Sequence, residues 1–135
     1  MALVVQKYGG TSVADAESIK NIARRVVDRR NKGDQLVVVV SAMGDTTDEL
    51  IDLAHKVTER PGERELDALL STGELVASTL VAMAIRSLGC EAISLSGAQA
   101  GIKTDANHSR ARILDIDPAR MLRELEQGKI VIVAG

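Results

Sequence analysis

Aromatic residues are nearly absent from this chain, because its 135 residues include one tyrosine, Tyr8, and no phenylalanine or tryptophan. Proteins that hold single-stranded nucleic acid stack the bases on aromatic side chains, and they attract the backbone with positive charge. This chain has a formal net charge of -2. We therefore expect it to have no nucleic-acid partner.

Cysteine and proline are also scarce. The single cysteine, Cys90, excludes an intrachain disulfide and a cysteine-rich zinc site. The first residues lack the basic-then-apolar layout of a signal peptide, so we expect a cytoplasmic protein that does not associate with membranes. A content of 45% hydrophobic and 27% charged residues is typical of soluble globular proteins, and 135 residues are enough for one domain with its own core.

The first forty residues predict a strand, a helix and a second strand. A short apolar run ends at Lys7 and predicts the first strand. Asp15 is a suitable N-cap for a helix whose apolar positions recur at helical spacing until Gly33. The continuous run LVVVV at residues 36–40 predicts a strand that is buried on both faces, as in a parallel sheet covered by helices.

Strands and helices continue to alternate along the rest of the chain. Thr46 and Glu49 match a capping box at the start of a helix, and a long helix is predicted at residues 63–88. Further strands are predicted at 92–96, 113–116 and 130–134, with a loop at 96–101. A last helix is predicted between the final two strands: Asp117 would be its N-cap, Pro118 its first residue, and Gly128 would end it. The sequence therefore predicts an α/β fold, a three-layer αβα sandwich with a largely parallel sheet.

The printed sequence ends in the apolar run IVIVAG. An apolar core strand is an unusual natural terminus, so we expect the chain to be the beginning of a longer polypeptide. We also expect this last strand to leave an unpaired sheet edge, which would promote self-association.

The stretch QKYGGTS, between the first strand and the first helix, is typical of an anion site. Gly9 and Gly10 would let a phosphate approach backbone N–H groups, and Lys7 would add a positive charge. The spacing matches neither the dinucleotide-binding fingerprint nor the P-loop. An ordinary strand-to-helix turn, in which the glycines allow unusual backbone angles, explains the stretch equally well.

Five segments, KYGGTSV, VVVVSAMGDTTDEL, LLSTGE, SGAQAGIKTD and IVIVAG, together resemble the N-terminal portion of aspartate kinases (aspartokinases), which are members of the amino acid kinase family. The resemblance covers the whole chain. It implies the amino acid kinase-like fold, incomplete at its C-terminal end, and a homo-oligomer. It also implies transfer of the γ-phosphoryl group of ATP, with Mg2+, to the β-carboxylate of aspartate, which leads toward lysine, threonine and methionine.

The same resemblance implies roles for individual residues. The ATP phosphates would be bound by Lys7, Tyr8, Gly9, Gly10, Thr11, Ser12 and Ser41, and the aspartate by Ser41, Thr47 and Glu74. Lys7 would be catalytic, since phosphoryl transfer depends on positioning and charge stabilisation, and Glu74 would pair with the substrate α-ammonium group. No metal ligand is predicted. On local pattern alone, Ser41 and Thr47 could be structural hydroxyls and Glu74 a solvated helical carboxylate.

By this resemblance, residues 1–135 form the amino-acid-binding part of the kinase domain. The nucleotide-binding half and the regulatory ACT domains of the family are absent, so we expect the chain alone to be inactive. Two alternatives stay open: another amino acid kinase, acting on glutamate or acetylglutamate, and a stand-alone, non-catalytic anion-binding or interaction domain. The segments TGE and SAMGDTTDEL favour the aspartate branch. His55 and His108 are expected to be surface residues.

Overall fold

A computed structural model describes residues 2–106 and 112–135 of the chain. Its main sheet contains four parallel strands in the order β1-β2-β6-β3. The strands are β1 Leu3–Tyr8, β2 Gln35–Val40, β3 Ala92–Leu95, β4 Ile102–Thr104, β5 Ile113–Ile116 and β6 Ile130–Ala134. The helices are α1 Ala16–Asn31, α2 Thr46–Val57, α3 Glu63–Ser87 and α4 Ala119–Glu126, with a 3-10 turn at Gly10–Val13. The predicted α/β fold class with a largely parallel sheet is confirmed.

The two faces of the main sheet are covered unequally. On the first face, α1 and α3 pack against Leu36, Val38 and Ile132, and all three side chains are fully buried. On the second face, α4 covers β6 and β3 through Leu125. Strand β1 has an exposed second face, where Val5 is 66% exposed.

The first helix begins where the sequence predicts. The Asp15 carboxylate accepts hydrogen bonds from the Ser18 backbone N–H and from the Ser18 hydroxyl, each at 2.9 Å. These bonds hold the pKa of the Asp15 carboxyl below its usual range. Ile22 and Val26 lie on the buried side of the helix, which confirms the predicted spacing.

Two predicted helix starts are wrong in detail. Thr46 is the first helical residue of α2 and not its cap, because Asp45 precedes it and no side chain caps the helix. The Thr46 side chain packs instead towards Gly73 of α3. Pro118 was predicted as the first residue of α4 but lies at its cap position, so the helix begins one residue later than predicted, at Ala119. The Asp117 carboxylate still accepts a hydrogen bond from Ala119 N, at 3.1 Å.

The strand predicted at Ile113–Ile116 exists but belongs to a separate two-stranded sheet. It pairs antiparallel with Ile102–Thr104, a three-residue strand that the sequence did not indicate. The predicted open edge at the last strand is wrong. β6 lies between β2 and β3 and is paired on both sides, because β2 and β3 each present a parallel ladder to it.

The long helix α3 confirms the prediction of a helix near residues 63–88. By length and composition alone, one helix in the described part of the chain, α3, could cross a membrane. About a third of its apolar stretch is buried inside the protein. One side of α3 buries Ala77, Val81 and Ile85 in the core against α1 and the sheet. This packing is that of a core helix. His55 is exposed on α2, and His108 lies outside the described residues.

Candidate functional site

The glycine turn and the end of β2 lie side by side at the carboxyl edge of the sheet. The backbone N–H of Ser41 donates to the carbonyl of Tyr8 at 3.1 Å. A Cβ atom added to Gly9 would lie 3.0 Å from the Ser41 hydroxyl oxygen. In open α/β sheets, ligands bind at this carboxyl edge, so Gly9 and Ser41 are well placed to meet the same ligand.

Backbone hydrogen bonds fix the turn and join it to the loop after β2. Gly10 has a φ of 58°, in the left-handed region that favours glycine. The Ser12 N–H donates to Gly9 O at 3.2 Å, and the Gly44 N–H donates to Val13 O at 3.1 Å. The Ser12 backbone N–H is therefore hydrogen-bonded within the turn, so a ligand would bind Ser12 through its side-chain hydroxyl.

A third segment, from α3, meets the loop after β2 at Gly73. A Cβ atom added to Gly73 would lie 3.2 Å from Ala42 Cβ and 3.1 Å from Thr46 Cγ2. A larger residue would push the loop away from the helix, so the glycine allows this close approach. Glu74 is the next residue of α3 and so directly follows this contact with the loop after β2.

Glu74 is half-buried, and its burial raises the pKa of the carboxyl above the usual range. Among residues 2–106 and 112–135, no lysine, arginine or histidine forms an ion pair with it. A carboxylate that is partly desolvated without a cationic partner is costly in its charged form. A cationic group supplied by a ligand would remove this cost.

The remaining predicted residues are more exposed. Lys7 lies on the exposed second face of β1 and has no ion pair within the described part of the chain. Thr47 is exposed in the first turn of α2. Neither side chain lines the two clefts described next.

Two clefts flank the 3-10 turn and share Thr11. The smaller, of about 190 Å³, is lined by Tyr8 and Ser12 and by Arg25 of α1. The larger, of about 640 Å³, is lined by Gly10 and by residues of the loop after β2 and of α2. Four predicted residues, Tyr8, Gly10, Thr11 and Ser12, line these clefts, whereas Lys7, Gly9, Ser41, Thr47 and Glu74 do not.

Three charged residues at the clefts were not predicted. Arg25 gives the smaller cleft a cation suited to an anionic group, while Asp45 and Glu49 make the larger cleft acidic. Arg25 lies on the same helical face as Ser18 and Asn21 of α1, which also line that cleft, but the sequence alone does not show that this face meets the glycine turn. Within the described residues no group of three His, Cys, Asp or Glu side chains could hold a metal ion.

Comparison with known proteins gives a family match over almost the whole chain. Residues 2–135 match the model of the "Amino acid kinase family". The aspartokinase of Mycobacterium tuberculosis (strain H37Rv) is 56% identical over 135 residues, and aspartokinase 2 of Bacillus subtilis (strain 168) is 53% identical. The whole of this chain is matched, but it spans only 32% and 33% of these relatives.

Solved structures show the same arrangement of elements. The aspartate kinase from Synechocystis superposes with a TM-score of 0.84 at 46% identity, over 98% of this chain and 22% of that protein. The E. coli aspartokinase III in complex with aspartate and ADP gives a TM-score of 0.81 over 98% of this chain and 40% of that protein. At 19% identity, this second likeness concerns the fold alone.

Proposed function

Because the chain belongs to the amino acid kinase family, we propose that it is the amino-acid-binding part of an aspartokinase. The whole enzyme would transfer the γ-phosphoryl group of ATP to the β-carboxylate of L-aspartate in the cytoplasm. The matched relatives are aspartokinases, and this chain corresponds to about a third of their length. The proposal therefore assigns to this chain one side of the active site and not the complete reaction.

The observation that carries the proposal is the partly buried, unpaired carboxyl group of Glu74. Its carboxyl is half-buried, has a raised pKa and has no cationic partner in the described chain. The α-ammonium group of an amino acid would supply that partner. A dicarboxylic acid without an amino group would leave the carboxylate unpaired, so this position would select amino acids.

The glycine turn is the proposed phosphate side of the site. Gly9 and Ser41 lie together at the carboxyl edge of the sheet, and the exposed Lys7 precedes them on β1. Catalysis of phosphoryl transfer depends mainly on positioning the reacting groups and on stabilising charge, and a lysine near glycine amides can contribute to both. ATP would bind with Mg2+, but we assign no ligand of the metal to the described residues.

The test is a chimera in which this chain replaces the matching third of B. subtilis aspartokinase 2. We expect the chimera to release ADP in a manner that depends on aspartate. Glu74→Ala should raise KM for aspartate about 30-fold, since losing a partner of a buried charge pair costs at least ~2 kcal/mol. The KM for ATP should stay nearly unchanged, because binding energy lost from the aspartate side does not act on the nucleotide.

Glu63→Ala is the matched control for this test. It removes an exposed carboxylate from the first turn of α3, away from both clefts, and should change neither KM. An unchanged KM for aspartate in Glu74→Ala would contradict the proposed ammonium site. A chimera that prefers glutamate to aspartate would place the chain in another branch of the family.

The 135-residue chain alone should show no steady ADP release in a coupled assay with aspartate and ATP. Well-oriented positioning of reactants supplies roughly 7 to 11 kcal/mol of barrier lowering, and it requires both sides of the site. Aspartate-dependent release that disappears in Lys7→Ala would show instead that this chain is sufficient for catalysis.

A further inference from the structure

Gly73 is buried in the middle of α3, at a position where glycine is less favourable than every residue except proline. Helix propensity gives no reason for a glycine here, but packing does. A Cβ atom on residue 73 would lie 3.1 Å from Thr46 Cγ2 and 3.2 Å from Ala42 Cβ. Carbon atoms in contact are normally ~3.5 to 4.0 Å apart. The missing side chain therefore lets α3 approach the loop after β2, and we call this approach the Gly73 contact.

The loop after β2 is also held by the glycine turn and by its own hydrogen bonds. The Gly44 N–H donates to Val13 O at 3.1 Å, and a Cβ atom on Gly44 would lie 3.0 Å from Ala14 O. The Thr46 N–H donates to Met43 O at 2.9 Å. The loop therefore cannot move away from a larger residue 73 without disturbing these contacts.

The three residues of the Gly73 contact are direct sequence neighbours of the three residues predicted to bind aspartate. The neighbouring pairs are Ser41 and Ala42, Thr46 and Thr47, and Gly73 and Glu74. Consecutive Cα atoms are only ~3.8 Å apart, so a shift at the contact is passed to the backbone of each neighbour. The Gly73 contact therefore sets the separation between residue 74 on α3 and residues 41–47 of the loop.

We propose that Gly73 is a positioning residue for the amino-acid substrate, because its lack of a side chain fixes the distance between Glu74 and the hydroxyl residues Ser41 and Thr47. The inference rests on the proposed function, in which these three residues bind aspartate. A misplacement of about 1 Å can reduce catalysis ~100-fold, so a shift of a few tenths of an ångström should be measurable.

The first experiment uses the chimera with B. subtilis aspartokinase 2 described above. Gly73→Ala should raise KM for aspartate about tenfold, because the added methyl group forces the loop and α3 apart by a few tenths of an ångström. The KM for ATP should rise less than about threefold, because α3 carries no residue of the predicted phosphate side. Equal rises in both KM values would contradict a role specific to the amino acid.

The steric cause is tested by deleting the atoms that the new methyl group would meet. Ala42→Gly and Thr46→Ser together remove the two carbon atoms closest to a Cβ atom on residue 73. In this widened background, Gly73→Ala should raise KM for aspartate less than about threefold, because the substitutions are coupled through one contact. A full tenfold rise in the widened background would overturn the proposal.

Ile85→Val is the matched control for loss of stability. Ile85 is fully buried on the same helix, about 18 Å further along its axis. The variant should lower the midpoint of urea unfolding but leave both KM values unchanged. If it raised KM for aspartate as much as Gly73→Ala does, loss of stability would explain the effect and the positioning role would be wrong.

The second experiment examines the contact in the 135-residue chain without substrate. Backbone amide NMR should show that Gly73→Ala moves the signals of Ser41, Ala42 and Thr47, whereas the signals of β3 should stay in place. Unmoved signals at these three residues would overturn the inference, whatever the chimera shows.

The outcomes separate this inference from the proposed function. If Glu74→Ala raises KM for aspartate and Gly73→Ala does not, the positioning role is wrong and the proposed function stands. An unchanged KM in Glu74→Ala would contradict the proposed function, and the positioning role would fall with it. Moved amide signals in Gly73→Ala would then show that the Gly73 contact serves packing alone.

Discussion

The two faces of the main sheet carry the same kinds of residue but differ in what covers them. On the first face, Val38 and Ile132 are fully buried beneath α1 and α3. On the second face, Leu125 of α4 covers β6, while Leu3 and Val5 on β1 remain 52% and 66% exposed. A run of β-branched residues thus predicts a strand, but its burial depends on the elements packed above it.

The difference follows from the widths of sheets and helices. Neighbouring strands lie ~4.8 Å apart and a helix with its side chains is ~10 Å across, so one helix covers about two strands. The first face has two long helices, α1 with 16 residues and α3 with 25. The second face has the eight-residue α4, which reaches β6 but leaves β1 open.

The largest expected contrast is between two isoleucines on opposite faces of the sheet. Ile132→Ala should lower the free energy of unfolding by about 2 to 5 kcal/mol, because it leaves a cavity in a fully packed region. Ile93→Ala, at a half-buried position on the second face, should cost less than about 2 kcal/mol because water can fill the space. Urea unfolding of both variants measures the difference. Equal losses would show that the second face is packed as tightly as the first.

A smaller effect concerns the ion pairs at the C-terminal end of α4. The buried Glu124 accepts hydrogen bonds from Lys129 Nζ at 2.7 Å and Arg120 Nε at 3.0 Å, and these bonds lower the pKa of its carboxyl. A lowered folded-state pKa adds stability above the unfolded-state pKa, and this stability is lost as pH falls through the folded value.

Glu124→Gln should therefore destabilise the chain at pH 7 and make the loss of stability in acid less steep. The measurement is urea unfolding between pH 7 and pH 3. Glu126→Gln is the control, because Glu126 is exposed on the same helix. Identical acid profiles for the wild-type chain and Glu124→Gln would show that these ion pairs do not stabilise the C-terminal end of α4.

The smallest effect on stability is expected in β1, which has one side packed against the core and the other exposed to solvent. Val5→Thr should change the free energy of unfolding by less than about 0.5 kcal/mol, as is usual for exposed positions. Val4→Thr places a hydroxyl against the core and should cost about 1 kcal/mol or more. Thermal unfolding of the Val5→Thr and Val4→Thr variants measures both changes in stability. A similar loss in both would mean that another surface covers Val5 in solution.

Strong local patterns predicted most of the fold. The runs at 36–40 and 130–134 gave two central strands, and Asp15 with its helical spacing gave α1. Ile102–Thr104 could not be predicted, because three residues are too few to show a periodicity and the strand exists only by pairing with β5. The central place of β6 also depends on pairing between distant segments.

The candidate site was predictable only in part. Sequence motifs indicated Gly9 and Ser41, and the structure places them together. Arg25 could not be separated from other arginines of α1, because its position at a cleft depends on how α1 packs beside the glycine turn. The roles of Lys7 and Glu74 remain predictions.

The position of β6 has a consequence for the folding of the nascent chain. β6 lies between β2 and β3, but it leaves the ribosome about ninety residues after β2. At ~5 to 20 residues per second, this interval is on the order of 5 to 20 s. Throughout it, the apolar residues 36–40 can pair with β1 on one side only, and their other edge is open to strand pairing with another chain. A chaperone that binds extended apolar segments during translation would therefore have its longest access at β2.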